Sequence, residues 1–159
     1  MEKLAKRAKG IISKIQYITI ATSSKEGIPW NSPVYSAFDE DYSFYWASWK
    51  ENQHSRNIAE NNQVFLVIYD STVPEGTGEG VYIQAKAHML AEEKEIEKAL
   101  SHLYRRKGED PNKREAKEFL GGYPRRVYKA VPEKVWLNDV GEINGNYIDK
   151  RVEVKLKQD

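Results

Sequence analysis

The sequence predicts a mainly β protein, a small closed barrel with a few peripheral helices. Seven segments have the β-branched, aromatic or alternating composition of strands, short turns join most of them, and only a minority of the chain has helical periodicity. The predicted strands are Tyr17–Thr22, Ile28–Phe38, Tyr42–Ala47, Val64–Tyr69, Val81–Leu90, Arg126–Leu137 and Tyr147–Leu156.

For two of these strands the sequence predicts more than their existence, from prolines in one strand and from alternation of apolar and polar residues in the other. Pro29 and Pro33 provide no backbone donor, so Ile28–Phe38 is expected at a sheet edge or with an interruption. Val81–Leu90 alternates, and its predicted core face holds Val81, Ile83, Ala85, Ala87 and Met89. The last two strands are expected to be joined through Asn138-Asp139 and a loop over residues 141–146.

Four helices are expected around the barrel. A basic, amphipathic segment over Met1–Ser13 favours a helix that closes one barrel end over a helix that lies on a membrane surface. Glu92–Arg106 has the strongest apolar stripe, and a shorter helix ends near Leu120. The charged residues of these two helices are predicted to form a solvated surface: Arg105, Arg106, Lys107, Lys113 and Arg114.

Composition restricts the class of protein. The 159 residues are expected to form a single domain over residues 1–159, and no stretch has the length and apolar character of a membrane span or a secretory leader, so a cytoplasmic location is expected. The absence of cysteine excludes disulfides and cysteine nucleophiles. The net charge of +1 argues against general nucleic-acid binding, and three scattered histidines predict no metal site.

A short polar helix is predicted directly after the aromatic strand Tyr42–Ala47. Ser48 and Glu51 have capping-box spacing, so the helix is expected over Glu51–Glu60. Its first amides would point at one place, beside Lys50, Gln53 and His54, which makes this junction a candidate anion site.

This junction resembles the FMN-binding split-barrel family typified by pyridoxamine 5'-phosphate oxidase, in which a strand ending in Thr or Ser leads into a short helix. Further similarity lies in Asn31–Tyr35, in the strand Gly80–Leu90 and in the pairing of Trp136 with Arg151. The resemblance covers most of the chain and implies a split β-barrel of the FMN-binding type.

The same resemblance implies an oxidoreductase with FMN at a homodimer interface. Ser32, Pro33, Val34 and Tyr35 match the strand along the isoalloxazine ring, and Ala47 and Ser48 match the strand end at the ribityl phosphate. Gln53 and His54 occupy the place of a basic pair that grips the phosphate, with Lys50 nearby. Trp136 and Arg151 match an aromatic residue and an arginine from the second subunit. Catalytic residues are not assigned, because the chemistry would belong to the flavin.

The sequence departs from the family pattern at three places. Gln53 and His54 lack the fixed charge of the basic pair, so Lys50, Arg56 and the helix N-terminus would have to compensate. Tyr147 and Asp149 replace an arginine and a histidine that hold a phosphorylated substrate, so pyridoxamine 5'-phosphate is a poor candidate substrate. Gly80 replaces a flavin-contacting glutamine, which is expected to open space near the ring.

Three alternative functions stay open from the sequence. The cofactor of a related reductase could be a deazaflavin (F420), or the barrel could store or carry a flavin or haem without catalysis. A barrel for single-stranded nucleic acid is the weakest of the three, because the net charge is close to zero.

Overall fold

The computed structural model describes residues 2–157, so Met1 of the predicted first helix lies outside the described residues. The first half contains helix α1 and five strands around helix α2: α1 Glu2–Lys14, β1 Tyr17–Ser23, β2 Pro29–Tyr35, β3 Ala37–Phe38, β4 Phe44–Trp49, α2 Gln53–Glu60 and β5 Gln63–Tyr69. The second half contains β6 Gly80–Met89, α3 Glu93–Arg106, a 3₁₀ helix Ala116–Phe119, β7 Arg125–Ile143 and β8 Asn146–Glu153.

The strands form one antiparallel sheet whose two ends are connected along the chain. The order is β2-β1-β5-β6-β7-β4-β3, and β8 pairs with β7 outside this path. β2 and β3 are separated only by Ser36, so the chain itself joins the two ends, and β2 and β4 face each other across a gap. The predicted split barrel is therefore confirmed, as is the interruption of Ile28–Phe38.

The barrel core follows the alternation of the strands. Ile18 and Ile20 of β1 pack with alternate residues of β5 and β6: Val64, Leu66, Ile68, Val81, Ile83, Ala85 and Ala87. The assignment of Met89 to this face is wrong. Met89 is 48% exposed, at the end of β6 where the chain turns toward α3.

Helix α1 closes one end of the barrel, as predicted. Ala8 and Ile12 are buried in the core, with Leu4, Ile11 and Ile15 packed against it. Within residues 2–157, no helix combines the length and apolar character that crossing a membrane requires.

Helix α3 packs on the other side of β4 and builds a second apolar cluster. Its buried residues Ile96, Ala99, Leu100 and Leu103 pack with Tyr45, Leu90, Ala116, Phe119 and Val127. Asp39 holds this helix in place, because its carboxylate accepts hydrogen bonds from Tyr45 Oη (2.8 Å) and from Lys98 Nζ of α3 (3.1 Å).

The start of α2 differs from the prediction. β4 continues to Trp49, which pairs with Arg125, and α2 begins at Gln53 after the cap residue Asn52. The predicted capping box of Ser48 and Glu51 is wrong, because strand pairing with β7 keeps Ser48 in an extended conformation.

The last two strands form a longer hairpin than predicted. β7 runs through Asn138-Asp139 to Ile143, which pairs with Asn146, so the predicted break and the loop over residues 141–146 are wrong. Asn144 and Gly145 both have positive φ (52° and 77°). A two-residue Asn-Gly turn with this geometry matches the twist of paired strands, which allows both strands to extend.

Candidate functional site

The gap between β2 and β4 opens into a pocket of about 270 Å³. One wall comes from the two strands and from the region of α2: Pro33, Val34, Tyr35, Ala47, Ser48, Asn52 and His54. The opposite wall comes from α3 and the 3₁₀ helix: Leu100, Leu103, Tyr104 and Phe119. Two strand edges without mutual pairing thus form a cleft that α3 covers.

His54 bridges the two strands at the bottom of this cleft. Its Nδ1 lies 3.2 Å from Ser32 Oγ of β2, and its Nε2 lies 3.0 Å from Ser48 Oγ of β4. The side chain is buried, and burial lowers the pKa of His54. His54 therefore links the sheet edges as a neutral imidazole at physiological pH, with both nitrogens within hydrogen-bonding distance of a serine.

The charged side chains of the pocket are all cationic. Lys107, Arg114 and Arg125 line it together with Tyr17, and none of its lining residues is acidic. Lys107 Nζ lies over the rings of Tyr104 and Tyr35, 4.7 and 5.3 Å from their centroids. A carboxylate-free pocket with three cations favours a ligand that carries negative charge.

Sequence reasoning missed these three cations. It assigned Lys107 and Arg114 to a solvated helix surface, because the charges of α3 and the following segment are mixed in sign. Arg125 had no signal of its own. It reaches the pocket because β7 pairs with β4, which places Arg125 opposite Trp49 and next to the strand end at Ser48.

Seven of the site residues expected from the resemblance lie at this cleft. Pro33, Val34, Tyr35, Ala47, Ser48 and His54 line the pocket, and Ser32 is joined to it through His54. Lys50 and Gln53 are not among the lining residues. Gln53 hydrogen bonds within α2, to Asn57 (2.8 Å) and Arg56 (2.9 Å).

Trp136 and Arg151 lie on the outer face of the sheet and do not line the pocket of their own chain. Trp136 stacks on Phe65 with a centroid distance of 6.2 Å. Arg151 lies 4.4 Å above the ring of Tyr82 and forms an ion pair with Asp149 (2.7 Å). The two residues expected from a second subunit therefore share one half-buried aromatic surface.

The expected space beside Gly80 is filled by this same surface. A Cβ atom at Gly80 would lie 3.2 Å from the ring of Tyr82. Glycine at position 80 thus allows the Tyr82 ring to fold back over the backbone of β6, where Arg151 covers it.

A family model described as pyridoxamine 5'-phosphate oxidase matches residues 4–139. The chain belongs to this family. The match spans the strands and helices of the cleft and most of β7. No curated protein sequence matches the chain.

Solved structures with the same fold belong to proteins of several different kinds. A haem storage protein, HutZ from Vibrio cholerae, is 18% identical with a TM-score of 0.68, covering 83% of this chain and 92% of its own. A candidate 5-nitroimidazole antibiotic resistance protein from Bacteroides thetaiotaomicron is 17% identical with a TM-score of 0.65, covering 83% and 81%. A candidate pyridoxamine 5'-phosphate oxidase from Listeria innocua is 17% identical with a TM-score of 0.60, covering 82% and 94%. These similarities show the fold.

The pocket fits the chemical parts of a flavin mononucleotide. Pro33 and Tyr35 offer an apolar surface for a flat ring, Ser48 and Asn52 offer polar groups, and Arg125 offers a cation for a phosphate. The requirements of an apolar ring and of an anionic end are thus met within one cleft.

Proposed function

We propose that this member of the family is an FMN-dependent oxidoreductase that binds its cofactor in the β2–β4 cleft. The observation that carries the proposal is the pocket itself, which combines an apolar strand wall with three cations and no carboxylate. Bound FMN would supply hydride or electron transfer, which requires no catalytic side chain from the protein.

The residues of this chain would bind, orient and shield the cofactor. Pro33 and Tyr35 would support the ring, Ser48 and Asn52 would hydrogen bond the ribityl phosphate, and Leu103 and Phe119 would keep water from the cleft. Because His54 ties Ser32 to Ser48, the width of the cleft is fixed before a ligand binds, which reduces the entropic cost of binding.

We further propose a homodimer in which Trp136 and Arg151 of a second copy complete the site. Support comes from the outer sheet face, where the half-buried aromatic side chains Phe65, Tyr82 and Trp136 lie on adjacent strands. An aromatic surface of this kind is typical of a protein interface. Sedimentation that gave only monomer at micromolar concentration would contradict the shared site.

A carrier that binds haem or flavin without turnover is the second candidate. Haem storage by the structurally similar HutZ favours it. The described geometry of the pocket does not, because His54 is the only histidine among its lining residues and a serine lies within hydrogen-bonding distance of each ring nitrogen. A deazaflavin in place of FMN is a third candidate and would use the same cleft.

The visible absorption spectrum of the purified protein, followed by mass analysis of the ligand released on denaturation, tests the proposal. FMN at about one per chain, with reduction by NAD(P)H and turnover of an acceptor, is the expected result. Released haem, released deazaflavin, or bound flavin that is never turned over would each contradict it and identify the candidate that replaces it.

A further inference from the structure

Helix α2 does not bring a cationic side chain into the pocket. Gln53 is neutral and bonded within the helix, and Lys50 and Arg56 are exposed and absent from the lining residues. His54 is enclosed between two serines. If an anionic group binds in this cleft, its counter-charge comes from another element.

Arg125 is placed to supply that charge. It pairs with Trp49 across β4 and β7, one residue beyond Ser48, and its guanidinium donates one long hydrogen bond of 3.4 Å to the Ala47 carbonyl. That bond uses one of five N–H donors, and the structure shows no carboxylate partner for Arg125 within residues 2–157. Its remaining donors are therefore available at the strand end.

The neighbouring Arg126 fixes the position of Arg125. Strand alternation turns Arg126 to the opposite side, where it is 8% exposed and donates hydrogen bonds to the carbonyls of Gly121 (2.5 Å), Tyr123 and Arg125 (2.8 Å). The amide of Lys50 donates to the Pro124 carbonyl (3.0 Å), which joins the same segment to the end of β4. The segment before β7 is thus held against the cleft by several bonds.

Two further cations line the same cavity from the segment that follows α3. Lys107 has no carboxylate within ion-pair distance among the described residues, and it lies against the Tyr35 and Tyr104 rings. Arg114 pairs through Nε with Glu118 (2.7 Å) and lies over the Phe119 ring (5.9 Å to the centroid), and its terminal nitrogens have no carboxylate partner within residues 2–157. The cations that line the cleft therefore all come from elements other than α2.

We infer that Arg125, assisted by Lys107 and Arg114, binds the phosphate of the cofactor in place of a basic pair on α2. This inference rests on the proposed function and specifies which residues carry it out. A planar guanidinium with free donors forms paired hydrogen bonds to phosphate oxygens, which a neutral glutamine and a buried histidine do not.

Flavin fluorescence titrations with FMN and riboflavin test the inference, because the two ligands differ only in the phosphate. Arg125→Gln is expected to weaken FMN binding about ten-fold or more and to leave riboflavin binding unchanged. Arg114→Gln should have a smaller effect of the same kind. Arg105→Gln is the matched control, since Arg105 lies on the exposed side of α3 and, within residues 2–157, its side chain donates a hydrogen bond only to Ser101.

Each other outcome overturns the inference. Unchanged FMN affinity in Arg125→Gln and Arg114→Gln, with a loss in Lys50→Gln, would place the phosphate at the segment between β4 and α2. Equal losses for FMN and riboflavin would show that Arg125 only supports the fold. Wild-type protein that binds neither flavin would refute the proposed function as well, whereas normal FMN binding by Arg125→Gln refutes this inference alone.

Discussion

Replacing Asp39 by asparagine tests whether the α3 wall of the cleft depends on a buried carboxylate. The Asp39 side chain is 2% exposed and accepts four hydrogen bonds, from the amides of Asp41 and Ser43 (3.0 Å each), from Tyr45 Oη and from Lys98 Nζ. The amides approach Oδ1, whereas Tyr45 and Lys98 approach Oδ2. Asparagine keeps an oxygen for the two amides but presents an NH₂ group to Lys98 Nζ, which can only donate, and to Tyr45 Oη, which would have to accept and would lose its bond to a charged oxygen.

The expected loss follows from these two contacts. A hydrogen bond to a buried charged group contributes about 1.5–3 kcal/mol, and the half-exposed Lys98 adds only a fraction of that. Asp39→Asn should therefore lower the free energy of unfolding by about 2–3 kcal/mol, or the melting temperature by about 5–10 °C for a chain of this size. Glu40→Gln is the control, since Glu40 is exposed and lies 3.6 Å from Lys98.

The pH dependence gives a second readout of the same contact. Burial favours the protonated form of Asp39, but hydrogen bonds from Tyr45, Lys98 and Ser43 outweigh it and hold the pKa of Asp39 below its ordinary value. Its contribution is therefore complete above the unfolded-state pKa of about 3.9 and is lost as the pH falls through the lower folded-state pKa. Urea unfolding followed by tryptophan fluorescence should show a wild-type advantage at pH 7 that shrinks below about pH 4. Equal unfolding midpoints for the wild type and Asp39→Asn at pH 7 would refute this reasoning.

Three further variants test the cleft and the interface. His54→Leu removes the partner of the buried Ser48 hydroxyl and one of two partners of Ser32 Oγ, which also accepts from Trp30 Nε1 (2.9 Å). It should therefore cost about 1–3 kcal/mol in urea unfolding, with Arg56→Ala as an exposed control on the same helix. Because burial lowers the pKa of His54, this histidine takes up a proton at a higher pH in the unfolded chain than in the folded protein. Wild-type stability should therefore fall as the pH drops below about 6.5, and the stability of His54→Leu should fall less. Arg126→Leu should destabilise the fold by about 3 kcal/mol, because several hydrogen bonds to backbone carbonyls are lost. It should also weaken FMN binding more than riboflavin binding, because Arg126 supports the backbone of Arg125. Equal weakening of both ligands would contradict the role of Arg126 in positioning Arg125. Phe65→Glu should convert the proposed homodimer to a monomer in sedimentation, and a dimer that persists in this variant would exclude the Phe65–Trp136 surface as the interface.

Local patterns in the sequence predicted most of the fold. Alternation along β6 and the prolines of β2 each depend on neighbours in the chain, so the core face and the interrupted edge strand were predictable. Met89 was an exception, because the place where a strand leaves the barrel is set by the path of the following helix. The ends of β4 and β7 also depend on their pairing with distant strands, which no local signal reports.

The candidate site was predictable where it repeats the family pattern and not where it departs from it. The resemblance gave the strand residues Pro33 to Tyr35 and the strand end at Ser48, all of which meet at the cleft. It gave no account of Arg125, because that side chain reaches the pocket through strand pairing with Trp49, which lies 76 positions earlier in the sequence. It also left undetected the bridge of His54 to two serines, since Ser32 lies 22 positions away and no spacing rule connects them.

Calorimetric titration of the ligand-free protein with FMN, run in parallel on the wild type and on Ala47→Phe, tests the central claim most directly. Ala47 lies on the strand wall of the cleft, so a phenyl ring there would occupy the volume that the flavin needs. The wild type should bind one FMN per chain, and Ala47→Phe, with an unchanged circular dichroism spectrum, should bind none at concentrations that saturate the wild type. Equal affinity and stoichiometry in the two proteins would show that FMN binds outside the β2–β4 cleft.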